Sequence, residues 1–381
     1  MPLFLDIEAL SARQTDLALG FIYKAVHGHD DDDEIWSEHP SPMIRTLVEL
    51  FTRRGLARLE NVRRELVSWL NGERHSPTLP PQRPVGMMQR WSPAEIELAN
   101  RYLEAMPVSE WTLYDHMMVV DLLVQRYLPP DELKTEAEWL TVRAALMGKV
   151  QAGLGELSAA EADKIAARLP LTASGSNTQG LQRAVIELAA NRAAEHVTSL
   201  GDGARHRMRS LVAQRVEKTM TGDLSGPSLQ TQLVDEFATL NRDWRRIAVT
   251  EATEALGQGF VAAQAPGVRL KRVEQYRNAC SWCRKLDGKL FEVVDPAAPD
   301  RDGETQIWAG KNNVGRSSAP RKRVGDKLVE REPGELFWCA SGAQHPNCRG
   351  RWVPVITDEP GDDAEFGEWL RATLARPDQK A

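Results

Sequence analysis

The chain has no apolar run approaching the roughly 20 residues that a membrane-spanning helix needs. Hydrophobic residues make up 42% of its 381 residues and charged residues 27%, which are ordinary values for a soluble protein. Its first residues, Met1 to Asp6, carry neither a basic segment nor a small-residue cleavage site, so no secretory signal is indicated. We therefore expect a soluble protein, without a membrane partner, that is synthesised and folded in a cytoplasm.

Cysteine is scarce, and the chain has no excess of positive charge. The four cysteines all lie between Cys280 and Cys348. In a reducing compartment, such a cluster favours a metal site over disulfides. The net charge of −6 argues against a globally basic nucleic-acid-binding protein, although it leaves room for local basic patches.

The sequence also lacks the patterns of two common metal sites. It contains no His-Glu-x-x-His or other arrangement typical of catalytic zinc, which argues against a zinc hydrolase. The acidic run Asp30 to Glu34 lacks the alternating ligands and the turn glycine of an EF-hand. We interpret this run as a solvated acidic loop.

The most specific pattern that is present consists of two short pairs of metal-binding side chains. Cys280-Ser281-Trp282-Cys283 and His345-Pro346-Asn347-Cys348 together offer three thiolates and one imidazole, the donors of a tetrahedral zinc site. Four protein ligands leave no open position for a water molecule, which favours structural over catalytic zinc. Cys339 is an alternative ligand in place of His345, or else a packed small hydrophobe. The alternative for the whole set is free buried cysteines beside a surface histidine.

Length and periodicity predict a mainly α protein, with an irregular helical N-terminal region followed by a small zinc-stabilised α+β C-terminal domain. Gly201-Asp202-Gly203 is expected to separate a helix over 181–198 from a basic helix over 205–220. The predicted units are 1–75 (N-terminal helices), 76–91 (a Pro-rich connector), 92–200 (a helical domain), 201–265 (a helical segment leading into the C-terminal domain), 266–355 (the zinc-clasped α+β domain) and 356–381 (an acidic tail).

Within the C-terminal domain, apolar and charged residues alternate over Val268 to Tyr276, which predicts a half-exposed strand with its charged residues in water. Asp287-Gly288 indicates a hairpin turn within 286–293, and Arg321 to Val329 a second, basic hairpin. The polar stretch 295–320 is expected to be a long surface loop, and 351–355 a closing strand.

Two groups of basic residues are candidates for contact with DNA phosphates, although such runs are usually solvated faces that can pair with acidic segments. They are Arg205, Arg207, Arg209, Arg215 and Lys218 in the predicted basic helix, and Arg321, Lys322 and Arg323 in the basic hairpin. Any contact is expected to be nonspecific, because no base-reading motif is present.

Glu251 lies in the middle of a predicted helix just before the C-terminal domain. A carboxylate beside zinc can act as a general base, but the closed ligand set favours a structural role. We expect Glu251 to hold an arginine of the following domain, with Arg349 as the partner in a bidentate contact.

The order of these elements resembles a known family. Four motifs follow one another along the chain: Arg246-x-x-x-Thr250-Glu251, the Cys-x-x-Cys pair, Leu286-Asp287-Gly288-Lys289 and His345-Pro346-x-Cys348-Arg349. Their order resembles that in the C-terminal domain of the phage Mu F-like minor head proteins, or head morphogenesis proteins, of tailed bacteriophages. The resemblance covers about residues 211–355. The family often has a further cysteine where this chain has Gly350, and the basic insertion before Cys339 is an elaboration.

The resemblance implies a non-enzymatic virion component, present in few copies at the portal vertex inside the capsid. Such a protein acts in head assembly and in genome packaging or ejection. Its partners would be the portal protein, the major capsid protein or both, with nonspecific DNA contact and no small-molecule substrate, and the N-terminal helices would be the docking surface. The alternatives are a zinc-containing nuclease or toxin-like effector acting on nucleic acid, and a cytoplasmic adaptor.

Overall fold

The structure, a computed structural model, describes residues 39–76, 91–155, 159–166, 168–169, 172, 178, 180–222, 227–276 and 279–355. The predictions for the acidic run Asp30 to Glu34 and for the acidic tail 356–381 lie outside these residues. Within the described part, no helix is both long and apolar enough to cross a membrane.

The described chain is mainly helical, with a small sheet region in its C-terminal part, as the sequence predicts at this level. The helices are α1 (Pro42–Leu70), α2 (Pro93–Ala105), α3 (Leu113–Tyr127), α4 (Pro130–Leu154), α5 (Ala159–Ala166), α6 (Gly180–Thr221), α7 (Leu229–Ala262) and α8 (Ser281–Leu286). The strands are β1 (Arg269–Val273), β2 (Leu290–Val293), β3 (Gln306–Ile307), β4 (Arg321–Val324), β5 (Lys327–Glu330) and β6 (Arg351–Pro354).

Helix α7 is the central element of the helical part. It packs against α1, α4 and α6, and one buried apolar cluster contains residues of all four helices. The backbones of α4 and α7 touch, because a Cβ atom added to Gly259 would lie 2.0 Å from the carbonyl oxygen of Ala145. Only glycine permits this approach, so α7 is held firmly at the end that leads into the sheet.

The predicted break at Gly201-Asp202-Gly203 is wrong, because α6 runs without interruption from Gly180 to Thr221. Glycine in a helix interior costs about 1 kcal/mol relative to alanine. Contacts of α6 with α4 and α7 outweigh that cost. Gly201 is itself buried, with a methyl group of Leu133 3.5 Å from the position of an added Cβ atom.

The main sheet has the strand order β3-β2-β1-β6, in which β1 pairs antiparallel with β2 and β6. The predicted basic hairpin is confirmed as the separate pair β4 and β5. The hairpin predicted around Asp287-Gly288 is wrong: this turn joins α8 to β2, because the Cys-x-x-Cys pair begins a short helix rather than a strand.

Two expectations about burial are also wrong. On β1 the buried side chains are Leu270 and Arg272, and the buried face continues to Glu274, so charged residues occupy positions that alternation assigned to water. The stretch 295–320 is not wholly a surface loop, since Lys311 is buried. Its Nζ donates hydrogen bonds to the carbonyl oxygens of Gly303 and Gln306, both at 2.7 Å, and burial lowers the pKa of Lys311 to about 8.

A pair of matched substitutions tests this packing. Gly259→Ala should lower the free energy of unfolding by about 1 to 3 kcal/mol, because the new methyl group meets the α4 backbone. Gly203→Ala should raise it by about 0.5 to 1 kcal/mol, because the site is helical and has open space around the added Cβ atom. Urea denaturation measures both values, and a Gly203→Ala protein that is less stable would contradict the continuous α6.

Candidate metal centre

The first pair of donor side chains is set by the start of α8. Cys280 is the N-terminal capping residue of this helix, with extended backbone angles, and its Sγ accepts a hydrogen bond from the Cys283 backbone N–H at 3.4 Å. One turn of helix therefore places both sulfur atoms on the same side of the chain.

The second pair lies on a tight turn. The Cys348 backbone N–H donates to the His345 carbonyl at 3.1 Å, and Asn347 adopts a φ of 66°. Asparagine enters this left-handed region more readily than most residues, because its short polar side chain can bond locally. The Asn347 backbone N–H donates to Thr250 Oγ1 on α7 at 2.8 Å, which fixes the turn to the helical part.

Three of the predicted donors meet at the imidazole of His345. Its Nε2 lies 3.2 Å from Cys280 Sγ and 3.1 Å from Cys283 Sγ. Zn–S distances of about 2.3 Å and Zn–N distances of about 2.0 Å give a tetrahedral S···N separation of roughly 3.5 Å, so these distances suit one ion. His345 Nδ1 lies 2.8 Å from the Pro346 carbonyl and carries the proton, which leaves the Nε2 lone pair for a metal.

Cys348 belongs to a second donor group that overlaps the first. Among the described residues, Cys280, Cys283 and His345 form one set of atoms within 4.8 Å of one another, and Glu274, Cys283 and Cys348 form another. The four predicted ligands are thus brought together through Cys283. Glu274 was missed, because its alternating strand pattern placed it in water.

Cys339, the alternative ligand, is not part of either group. It is buried in the apolar core of the sheet with Phe291 and Trp352, and burial raises the pKa of its thiol to about 12. The structure therefore places His345 rather than Cys339 with the other donors, and Cys339 packs as a small hydrophobe.

The surroundings shift the pKa values of the two buried thiols of the second group in opposite directions. The hydrogen bond with Cys348, together with burial, raises the pKa of Cys283. Burial also disfavours a Cys348 thiolate, but the hydrogen bond from Cys283 and the positive charge of Arg272 bring the pKa of Cys348 well below its ordinary value. A thiolate is the form of cysteine that binds metals.

A row of polar side chains on α7 accepts hydrogen bonds from two loops of the sheet region, one of which carries His345 and Cys348. Thr250, Glu254 and Gln258 are four residues apart and therefore share one face of the helix. Thr250 accepts from Asn347 as described, Glu254 Oε2 accepts from the Ala343 backbone N–H at 2.6 Å, and Gln258 Oε1 accepts from that of Gly310 at 2.6 Å. We call these three residues the α7 ladder.

The predicted partner of Glu251 is wrong. Glu251 is buried and accepts hydrogen bonds from Arg192 at 2.8 and 2.9 Å, and His196 Nδ1 lies 2.9 Å away, both residues being on α6. Arg349 donates instead to Asn347 Oδ1 at 3.2 Å. The reason is the register of α6 and α7, which puts two successive α6 turns opposite Glu251.

The basic residues of α6 largely serve the helical bundle. Arg205 and Arg209 both pair with Asp121 of α3, at 2.7 and 2.5 Å, and Arg207 pairs with Glu236 of α7 at 2.8 Å. The basic residues of the β4–β5 hairpin are more exposed to solvent. Arg321 is mostly exposed and its contact with Glu330 is long, at 4.0 Å, while Lys322 pairs with Glu335.

The contact between Glu251 and His196 predicts a pH dependence. The hydrogen bond with Glu251 raises the pKa of His196 in the folded protein. Its stabilisation is therefore fully present below the unfolded value of about 6.5 and is lost as pH rises through the folded-state pKa. In urea titrations, the free energy of unfolding of the wild type minus that of His196→Gln should fall as the pH rises above about 6.5 and through the folded-state pKa. The same difference measured in a Glu251→Gln background should not vary with pH, and a constant difference in both backgrounds would contradict the contact.

Comparison with known proteins identifies no relative of this chain. No family model, no curated protein and no solved structure matches the chain. The resemblance to the Mu F-like minor head proteins therefore rests on the ordered residues of the sequence alone.

Proposed function

We propose that the protein is a minor head protein of a tailed phage or prophage, of the Mu F-like kind, which docks at the portal or inner capsid and acts in head assembly and in genome packaging or ejection. One observation supports this most strongly. Three of the four pieces of the resemblance meet in space. Thr250 of α7 accepts a hydrogen bond from Asn347, 97 residues further along the chain in the turn of His345 and Cys348, and His345 lies beside Cys280 and Cys283.

In this proposal the donor residues hold one structural zinc ion. Cys280, Cys283, His345 and Cys348 would bind it, and the ion would link α8 to the turn before β6. The local apolar cluster is small, with Ala279, Cys283, Ala343 and Cys348 as its buried members, so apolar burial contributes little to stability at this end of the domain. Zinc would contribute folding free energy here, as it does in other small loop-rich domains.

The exposed apolar side chains suggest where the protein docks. The N-terminal helices were expected to be the docking surface, but four tryptophans of this region belong to the core: Trp69, Trp91, Trp111 and Trp139. In contrast, Val314, Val324, Leu328 and Val329 are exposed in and beside the β4–β5 hairpin. The proposal therefore assigns contact with other head components to this hairpin as well as to the helices.

The hairpin is also the proposed DNA contact. Between Arg316 and Arg331 the chain has six basic residues and two acidic ones, in a protein of net charge −6. Arg321 and Arg323 lie on the same face of β4, since alternate residues of a strand point the same way. This supports nonspecific contact with phosphates, whereas the paired arginines of α6 are less available.

Two double variants with the same charge change test the DNA contact. Arg321→Gln/Arg323→Gln should weaken binding to a 30-bp DNA duplex. The negative slope of the logarithm of the binding constant against the logarithm of the salt concentration should become shallower by about 2, because two phosphate contacts are lost. Arg205→Gln/Arg209→Gln should leave the slope unchanged and lower the free energy of unfolding instead, because Asp121 loses its partners. Equal losses of affinity in the two variants would contradict a specific role of the hairpin.

The function itself is tested on particles. If the gene is expressed from its phage or prophage, quantitative mass spectrometry of purified virions should find the chain at a few copies per portal ring, and chemical crosslinking should join it to the portal or major capsid protein. Its absence from purified particles would contradict the proposal. Cleavage of plasmid DNA that depends on metal and disappears with one substitution would favour the zinc-containing nuclease instead.

A further inference from the structure

The two overlapping donor groups pose a question of stoichiometry. Because Cys283 is shared, the side chains can hold either one metal ion or two ions bridged by a thiolate. The second group, Glu274, Cys283 and Cys348, is buried throughout and offers one carboxylate and two sulfur atoms. Its surroundings decide between these possibilities.

Arg272 lies directly against this second group. Its side chain is fully buried, and Nε donates to Glu274 Oε1 at 2.6 Å. A terminal nitrogen of the same guanidinium lies 3.6 Å from Cys348 Sγ. The guanidinium also stacks on the ring of Trp352, with 5.0 Å between its central carbon and the ring centroid.

A buried guanidinium imposes a fixed charge on the site. Arginine does not lose its proton in proteins, and a buried charge is tolerated only when it is paired. The groups that face the Arg272 guanidinium are the Glu274 carboxylate at 2.6 Å and Cys348 Sγ at 3.6 Å. A second ion bound by Glu274 together with Cys283 and Cys348 would compete with the guanidinium for Glu274 and be repelled by it at close range.

The carboxylate of Glu274 is fixed in place from its other side. Gly350 leaves the space that the carboxylate fills, since an added Cβ atom at this position would lie 2.2 Å from Glu274 Oε1. The backbone N–H of Glu274 donates to Asp287 Oδ1 at 2.9 Å, which ties the end of β1 to the turn after α8. Arg272 and Glu274 thus form a rigid pair beside Cys348 rather than a mobile surface contact.

We propose that Arg272 is the built-in cation of the Glu274–Cys283–Cys348 group, so that the centre binds a single thiophilic divalent ion, and that removal of the guanidinium turns this group into a second metal site. The inference rests on the metal binding in the proposed function. Arg272 is a positioning residue in this arrangement: its guanidinium holds Glu274 Oε1 at 2.6 Å and lies 3.6 Å from Cys348 Sγ, and it keeps a second ion from binding among Glu274, Cys283 and Cys348.

Cobalt titration of the intact chain tests the proposal. Co²⁺ bound by thiolates absorbs in the near ultraviolet and the visible, so the end point gives the number of ions per chain. The wild type and Arg272→Lys, which keeps the positive charge, should bind one equivalent. Arg272→Ala should bind two, and Arg272→Ala/Glu274→Gln, which removes the carboxylate donor as well, should return to one.

The outcomes separate this inference from the metal proposal itself. Two equivalents in the wild type would overturn it without any variant, which matters if Arg272→Ala fails to fold. One equivalent in both the wild type and a folded Arg272→Ala protein would overturn the role of Arg272 while leaving the single metal site intact. No binding by the wild type would contradict both.

Discussion

The hydrogen bonds from the loops of the sheet region to the α7 ladder are the interaction on which the arrangement of the candidate site depends. Thr250, Glu254 and Gln258 accept from backbone N–H groups at Asn347, Ala343 and Gly310. Asn347 and Ala343 are buried, and a buried backbone group without such a partner costs about 1 to 3 kcal/mol. The loop that carries His345 and Cys348 is therefore built on a helix whose own backbone is in direct contact with that of α4.

Buried charges extend from this ladder in both directions, and each has a partner. Glu254 accepts from Arg192 at 2.9 Å as well as from the loop, so the same carboxylate joins α6, α7 and the donor loop. On the far side of the donors, Arg272 pairs with Glu274 and Cys348. Pairs of this kind contribute less to stability than to geometry, since desolvation offsets much of their attraction. Their effect here is to set the positions of Cys348 and of the loop before β6.

The sequence predicts the parts of this site that depend on local spacing. Cys280 and Cys283, like His345 and Cys348, are three residues apart, and a single turn of chain is enough to bring each pair together. The contacts across elements were not predictable in the same way. Arg192 meets Glu251 because of the register between two long helices, which no local pattern encodes. Arg272 was assigned to water because a charged residue on an alternating strand is usually exposed. Its burial depends on Glu274 and on the sulfur atom of Cys348, which the turn before β6 supplies.

The central claim is that α8 and the turn before β6 are joined by one metal ion held by three sulfur atoms and one imidazole. X-ray absorption spectroscopy at the zinc edge of the natively purified protein tests it most directly. The account predicts one zinc ion per chain, with three sulfur neighbours at about 2.3 Å and one nitrogen at about 2.0 Å. A protein purified without zinc, or a coordination sphere of four sulfur atoms or of oxygen atoms alone, would contradict it.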